Sequence, residues 1–188
     1  ATVGVVTSIR SRDYYENPAG VKPAYWMGWL LQDLHIPYDY LLAERDFTPE
    51  ALRRYKAVVL PDLAVMEEDW ISVLRRYIEQ GGRVLATHDT GKFDPEMDDR
   101  GRAWLTELTG REARAGERVE LGAGRFVYDP EYPEKKYVET YPRDLAKSTD
   151  LPVPGAPPED FKAALDWLTE GILPLEVQAR PTTAIIPQ

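Results

Sequence analysis

Residues 57–87, AVVLPDLAVMEEDWISVLRRYIEQGGRVLAT, decide the fold. The run Ala57–Leu60 is wholly apolar and is stopped by Pro61, and a second strand-like segment with an apolar centre follows at Arg83–Thr87. Between them, from Glu67 to Gln80, apolar residues recur at helical spacing, and two glycines then end the helix. Strands without polar alternation are typical of parallel strands covered on both faces. The stretch therefore predicts a strand–helix–strand unit of a parallel sheet.

The same alternation extends towards the N-terminus. The apolar run Val3–Val6 predicts one further strand, and Tyr38–Leu42, after Ile36 and Pro37, is interpreted as another. Residues 22–34 carry a wide apolar stripe and predict a helix, and Thr48 caps another helix that begins at Pro49 and runs to about residue 55. The order predicts an α/β fold, a doubly wound, mostly parallel sheet with helices on both faces.

The rest of the chain is less regular. Residues 7–20 are interpreted as a polar loop and residues 129–158 as a long surface excursion rich in proline and tyrosine. The remaining predicted elements are a helix at 103–108, a strand at 125–128, a helix at 159–169 and extended stretches near 175–177 and 184–186. We divide the chain into one α/β domain at residues 1–172 and an extended tail at 173–188, where a following β domain could begin.

Composition limits the partners. The chain has 188 residues, a formal charge of −9 and no cysteine. That length suits one core, and the acidic balance disfavours nucleic acids and anionic membranes. No apolar run has the roughly 20 residues that span a bilayer. We expect a soluble protein with no nucleic-acid or membrane partner; the compartment stays open.

Several segments together resemble a known group. They are the run Tyr55–Met66, the helix end at 77–82 with the strand Arg83–Thr87 after it, the segment Ser11–Tyr15, Gly28 with His35–Asp39, and the glycine-turn strand Gly122–Tyr128. This set is similar to the middle, trimerisation domain of family 42 β-galactosidases, which has the class I glutamine amidotransferase-like (flavodoxin-like) fold. The resemblance covers roughly residues 3–128 and extends loosely to residue 177.

The resemblance implies a role in assembly. In that group the domain follows a catalytic barrel, precedes a small β domain and helps to form trimers. We therefore expect a non-catalytic assembly module associated with glycoside hydrolase-type proteins and a homo-oligomer, with a trimer favoured. The resemblance also leaves room for a neighbouring catalytic domain. No cofactor is expected.

The turn after the strand Arg83–Thr87 carries the most informative single residue. Active amidotransferases of this fold place a nucleophilic cysteine there, and this chain has His88. A late histidine would be needed as the base, yet His35 and His88 are the only two histidines. The catalytic triad of cysteine, histidine and glutamate cannot be built, which excludes glutaminase activity.

A second hypothesis uses the same turn as a ligand site. Ser8, Thr87, His88 and Asp89 all follow strand ends, where folds of this type bind ligands. A carbohydrate-binding or hydrolytic protein could use this crevice. The alternative is that His88 is a partly exposed, inert loop residue.

The expected interface residues are Arg12, Asp13, Tyr14, Tyr15 and Trp29. In the similar proteins the first loop points towards neighbouring parts of the protein, and Trp29 lies nearly opposite the core stripe of its helix. The alternative is a polar loop with surface tyrosines, and a core position for Trp29.

Two further motifs do not match the sites that they suggest. The acidic stretch 94–99 lacks the glycine and the final glutamate of a calcium loop, so we expect no metal site. Residues 122–124, Gly-Ala-Gly, precede a strand and do not open a helix, so they predict a turn and not a dinucleotide loop.

Overall fold

The structure is a computed structural model, and it describes residues 2–14, 22–140 and 157–173. A six-stranded sheet lies at its centre. The strands are β1 (Val3–Thr7), β2 (Tyr38–Leu42), β3 (Ala57–Leu60), β4 (Arg83–Thr87), β5 (Arg118–Leu121) and β6 (Gly124–Asp129). Their order across the sheet is β2-β1-β3-β4-β6-β5, and every neighbouring pair is parallel except β5 with β6. The prediction of a mostly parallel sheet is confirmed.

Eight helices connect or flank these strands in the described part of the chain. They are α1 (Ile9–Tyr14), α2 (Lys22–Asp33), α3 (Ala43–Asp46), α4 (Pro49–Leu52), α5 (Glu68–Glu79), α6 (Ala103–Thr109), α7 (Pro133–Glu139) and α8 (Glu159–Thr169). Thr48 caps α4 as predicted, because its hydroxyl accepts a hydrogen bond from the Ala51 amide at 3.2 Å. The helix is shorter than predicted, ending at Leu52.

Helices cover both faces of the sheet. Alternate residues of each central strand point to opposite sides, so Val58 and Leu60 pack with α5 and α6, whereas Ala57 and Val59 pack with α2 and α8. All four of these side chains are at most 1% exposed. The doubly wound α/β arrangement is thereby confirmed, while the amidotransferase-like class remains an expectation from resemblance.

The prediction that residues 7–20 form a loop is wrong for part of that segment, because α1 occupies residues 9–14. The Ser8 hydroxyl accepts a hydrogen bond from the Ser11 amide at 3.2 Å, which caps the first turn. The segment IRSRDY has only six residues, too few to show a helical period. Short, polar helices of this kind are set by caps and tertiary contacts.

Two more elements differ from the prediction. Strand β5 was not expected; it pairs with β6 across the turn at Gly122 and Ala123, so the predicted turn is confirmed and closes a hairpin. The interpretation of residues 129–158 as a surface excursion is wrong for their first part, because α7 packs on α2 and Tyr137 is 1% exposed. The predicted stretches near 175–177 and 184–186 lie outside the described residues.

Within the described ranges, no helix combines the length and the apolar character needed to cross a membrane.

Candidate functional site

Hydrogen bonds to neighbouring segments restrain the turn that follows β4. The Thr90 side chain is 1% exposed, and its hydroxyl hydrogen-bonds the Leu60 carbonyl at 2.9 Å and the Leu63 amide at 3.1 Å. The His88 amide donates to the Asp129 carbonyl at 2.8 Å. His88 itself has a φ of +49°, a left-handed conformation that is uncommon for a residue with a side chain. The contacts with β3 and β6 therefore fix a strained turn.

The His88 ring is held by a second residue in the same conformation. Tyr132 has a φ of +58°, and its ring stacks on that of His88 with centroids 4.1 Å apart and planes 12° apart. The ring of Trp26, on α2, contacts that of Tyr132, with ring centroids 6.0 Å apart. Tyr128 donates its hydroxyl proton to the His88 carbonyl at 2.5 Å. The histidine is thus oriented by neighbours from β6, α7 and α2.

A shallow cavity of about 270 Å³ opens beside this turn. Its lining residues are His88, Asp89, Thr90, Lys92, Gly101, Arg102, Tyr128 and Pro130. Lys92 pairs with the Asp89 carboxylate at 3.2 Å, and that hydrogen bond raises the pKa of Lys92. The Arg102 guanidinium lies over the Tyr128 ring at 5.4 Å. Charged groups of both signs and an aromatic ring therefore border the cavity.

The backbone of the turn offers a further donor. The amides of residues 88, 90, 91 and 92 all donate to carbonyls, but the Asp89 amide has no acceptor among the described residues. In enzymes with a nucleophile on such a turn, the amide of the following residue helps to bind the oxyanion. Asp89 occupies that position relative to His88.

A fully buried carboxyl group lies beneath the turn. Glu134, in the first turn of α7, is 0% exposed, and its Oε1 accepts a hydrogen bond from the Thr87 hydroxyl at 2.6 Å. The Thr87 oxygen in turn accepts the Asp62 amide at 3.2 Å. Glu134 Oε2 has no hydrogen-bond partner among the described residues. Among the described side chains, only that of Thr87 hydrogen-bonds the carboxyl group.

The pKa of Glu134 is raised to about 8, mainly by burial and to a smaller extent by the nearby carboxylates of Asp62 and Asp129. The Thr87 hydrogen bond acts in the opposite direction but does not offset the loss of hydration. Burial also raises the pKa of Asp129. At neutral pH Glu134 is mostly protonated, so α7 is docked through an uncharged acid.

The four predicted crevice residues do not form one surface. His88 and Asp89 line the cavity, but Thr87 is 0% exposed beneath it. Ser8 is 2% exposed, donates to Glu44 at 2.7 Å and lies outside the cavity lining. Burial alone would raise the pKa of Glu44, yet the hydrogen bonds from Ser8 and from the Arg10 amide lower it overall. Ser8 thus anchors α1 to α3.

The predicted interface residues occupy two separate regions. On α1, Arg12 and Asp13 pair with each other at 2.7 Å, and Tyr14 packs on Phe93 with ring centroids 4.4 Å apart. Trp29 lies on α2 and is 47% exposed. Tyr15 lies outside the described residues.

Sequence reasoning missed the roles of Glu134, Tyr132, Arg102 and Tyr128. A glutamate beside Pro133 at a helix start ordinarily faces water, so no sequence signal marks Glu134 as buried. Arg102 reaches the cavity only because the loop after the turn folds back over Tyr128, and the sequence gives no signal for that loop conformation. Within the described ranges, no three histidine or acidic side chains come close enough to hold a metal ion.

Comparison with known proteins agrees with this architecture. Residues 30–122 match the family model of the beta-galactosidase trimerisation domain. Among solved structures, the chain is similar to a beta-galactosidase from Bacillus circulans sp. alkalophilus, with 16% identity and a TM-score of 0.60 over 93% of this chain and 32% of that chain. It is also similar to the beta-galactosidase of Rahnella sp. R3, with 16% identity and a TM-score of 0.57 over 89% of this chain and 31% of that chain.

A third similar structure is a catalytic mutant of a GH42 beta-galactosidase from G. stearothermophilus, with 15% identity and a TM-score of 0.52 over 74% of this chain and 29% of that chain. The chain therefore spans about a third of the length of these structures. At such identities the similarity establishes a shared fold.

Proposed function

We propose that this chain is an assembly domain of a glycoside hydrolase-type protein, which self-associates and has no catalytic role of its own. The observation that carries the proposal is the match of residues 30–122 to the trimerisation domain of beta-galactosidases. The shared α/β fold with the three solved enzymes supports it. A trimer follows from the family description, and a neighbouring catalytic domain follows from the larger size of the similar proteins.

The site chemistry agrees with a structural role. The position of an amidotransferase nucleophile is taken by His88, whose ring is stacked on Tyr132. The carboxyl group nearest to the base of the turn, Glu134, is buried and uncharged at neutral pH. The chain contains no cysteine that could replace His88 in a thiol mechanism.

The chain should sediment as a species of about three times its own mass of 21.4 kDa. Sedimentation equilibrium over a range of concentrations from micromolar to near-millimolar measures this mass directly. A mass of 21.4 kDa at every concentration would contradict the proposal.

The cavity beside His88 favours a second candidate function, the binding of a small carbohydrate. The Asp89 carboxylate, the Lys92 ammonium group and the Asp89 amide can accept and donate hydrogen bonds with sugar hydroxyls. The charges of Lys92 and Asp89 compensate each other, and Arg102 adds one positive charge at the border of the cavity.

We expect a saturable change in the amide signals of residues 88–92 when galactose is titrated and followed by NMR. The variant Lys92→Ala should weaken that binding at least about tenfold, since a hydrogen bond to a charged group contributes about 1.5–3 kcal/mol. Lys136→Ala, in which an exposed lysine outside the cavity is changed, is the control. Signals that do not respond at high sugar concentration would remove this candidate.

A further inference from the structure

The outward face of α2 differs from an ordinary surface helix. The inward residues Met27, Leu30 and Leu31 are 0% exposed, whereas Lys22, Tyr25, Trp29 and Gln32 are exposed at intervals of three and four. An exposed helix face usually carries charged residues. Here its two central positions are aromatic, with Tyr25 53% and Trp29 47% exposed.

The edge strand β2 extends this aromatic face. Tyr40 is 44% exposed and its ring lies 5.9 Å from that of Tyr25, in an edge-to-face arrangement. Tyr38 follows at 5.3 Å from Tyr40. The absence of a side chain at Gly28 leaves room for the hydroxyl groups of both tyrosines. Trp29 lies one helical turn after Tyr25 on the same face of α2. We call Tyr25, Trp29, Tyr38 and Tyr40 together the aromatic patch.

Charge determines which partner fits this patch. The chain has a net charge of −9 and 29% charged residues, so two copies repel each other over most of their surfaces. The segment 23–32 of α2 contains no charged residue at all. A contact made through the aromatic patch therefore avoids the repulsion that most other contacts between copies would meet.

The flanks of the uncharged segment are complementary. Lys22 precedes it and Asp33 follows it, separated by eleven residues, or about 16 Å along a helix. When two such helices meet head to tail, under either a twofold or a threefold rotation, Lys22 of one copy approaches Asp33 of the next, whose carboxylate also accepts a hydrogen bond from the Tyr137 hydroxyl of its own chain. Aromatic residues enclosed by a polar rim are also the composition of protein–protein interfaces.

We propose that the aromatic patch is the surface through which one copy of this chain binds a second copy. The inference rests on the proposed self-association and adds the surface that performs it. Trp29 and Tyr25 are the central contacts, because tryptophan and tyrosine dominate the energetics of interfaces. Lys22 contributes orientation at the rim.

The test is sedimentation equilibrium of the whole chain and three variants. Trp29→Ala should raise the dissociation constant at least about 30-fold, which corresponds to the loss of an interface hot spot. Lys22→Glu should weaken association several-fold and change its salt dependence. Met97→Ala removes another exposed apolar side chain, 42% exposed and distant in sequence, and should leave association unchanged.

The outcomes separate the two proposals. If the chain associates and Trp29→Ala associates equally well, the aromatic patch is not the interface, although the assembly function stands. If the chain is monomeric throughout, both proposals fall. If Trp29→Ala lowers the melting temperature of the monomer and leaves association unchanged, the patch is covered by another part of the same chain, and the inference is overturned.

Discussion

Replacing Gly124 with alanine should destabilise the fold more than any other small substitution that the structure suggests. A Cβ at this position would overlap the carbonyl oxygens of Ile78 and Gly82, which belong to the backbone where α5 passes into β4. Neither can move without displacing a central element. We expect a loss of more than about 3 kcal/mol in the free energy of unfolding, at the upper end for overpacked sites.

Urea denaturation followed by circular dichroism measures the effect of Gly124→Ala. Gly116→Ala is the matched control, because its Cβ would meet no atom within 4 Å, although its φ of +71° is unfavourable for alanine. That control should lose only about 1–2 kcal/mol. Equal losses in the two variants would show that the close approach at Gly124 has no special cost.

The second large effect concerns the pH dependence of stability. The pKa of Glu134 is raised from 4.5 to about 8 in the folded chain. Below pH 4.5 the group is neutral in both the folded and the unfolded state, so its burial carries no charge penalty. As the pH rises from 4.5 to 8, the unfolded chain ionises first, and the folded state loses stability until the pH passes the folded pKa.

Glu134→Gln should remove this loss. Glutamine has nearly the same shape but does not titrate, so the variant should gain on the natural chain by about 1.4 kcal/mol for each pH unit inside that window. Unfolding free energies at pH 5, 6, 7 and 8 give the slope. Glu139→Gln, on an exposed position of the same helix, should not alter it. A constant difference between Glu134→Gln and the natural chain would contradict the expectation.

The sequence predicts the central strands of the sheet well because they are buried on both faces. Most residues of Ala57–Leu60 and Arg83–Thr87 are apolar and buried, and the helix between these strands carries apolar residues at helical spacing on its buried face. The elements that it does not predict are short. Strand β5 has four residues and α1 six, so neither completes enough periods to be recognised, and each depends on a partner elsewhere in the chain.

The candidate site was predicted less completely, because its parts come from distant segments. The position of His88 after β4 follows from the strand pattern, and the structure places Asp89 beside it. The residues that restrain His88, however, are 44 and 62 positions away, at Tyr132 and Trp26. Ser8 follows a strand end like His88, yet it is buried and its hydroxyl donates a hydrogen bond to Glu44, so it does not face the cavity.

The way α7 meets the turn has a consequence for protein engineering. The start of α7 and the preceding Tyr132 fill the space on two sides of position 88, with the Tyr132 ring against the His88 ring and the Glu134 carboxyl group below Thr87. Introducing a thiol by His88→Cys would leave that thiol without a histidine to deprotonate it, since His35 lies after α2 and outside the cavity lining. Building a thiol hydrolase on this turn would therefore require both an added base and a redesigned start of α7, which no single substitution supplies.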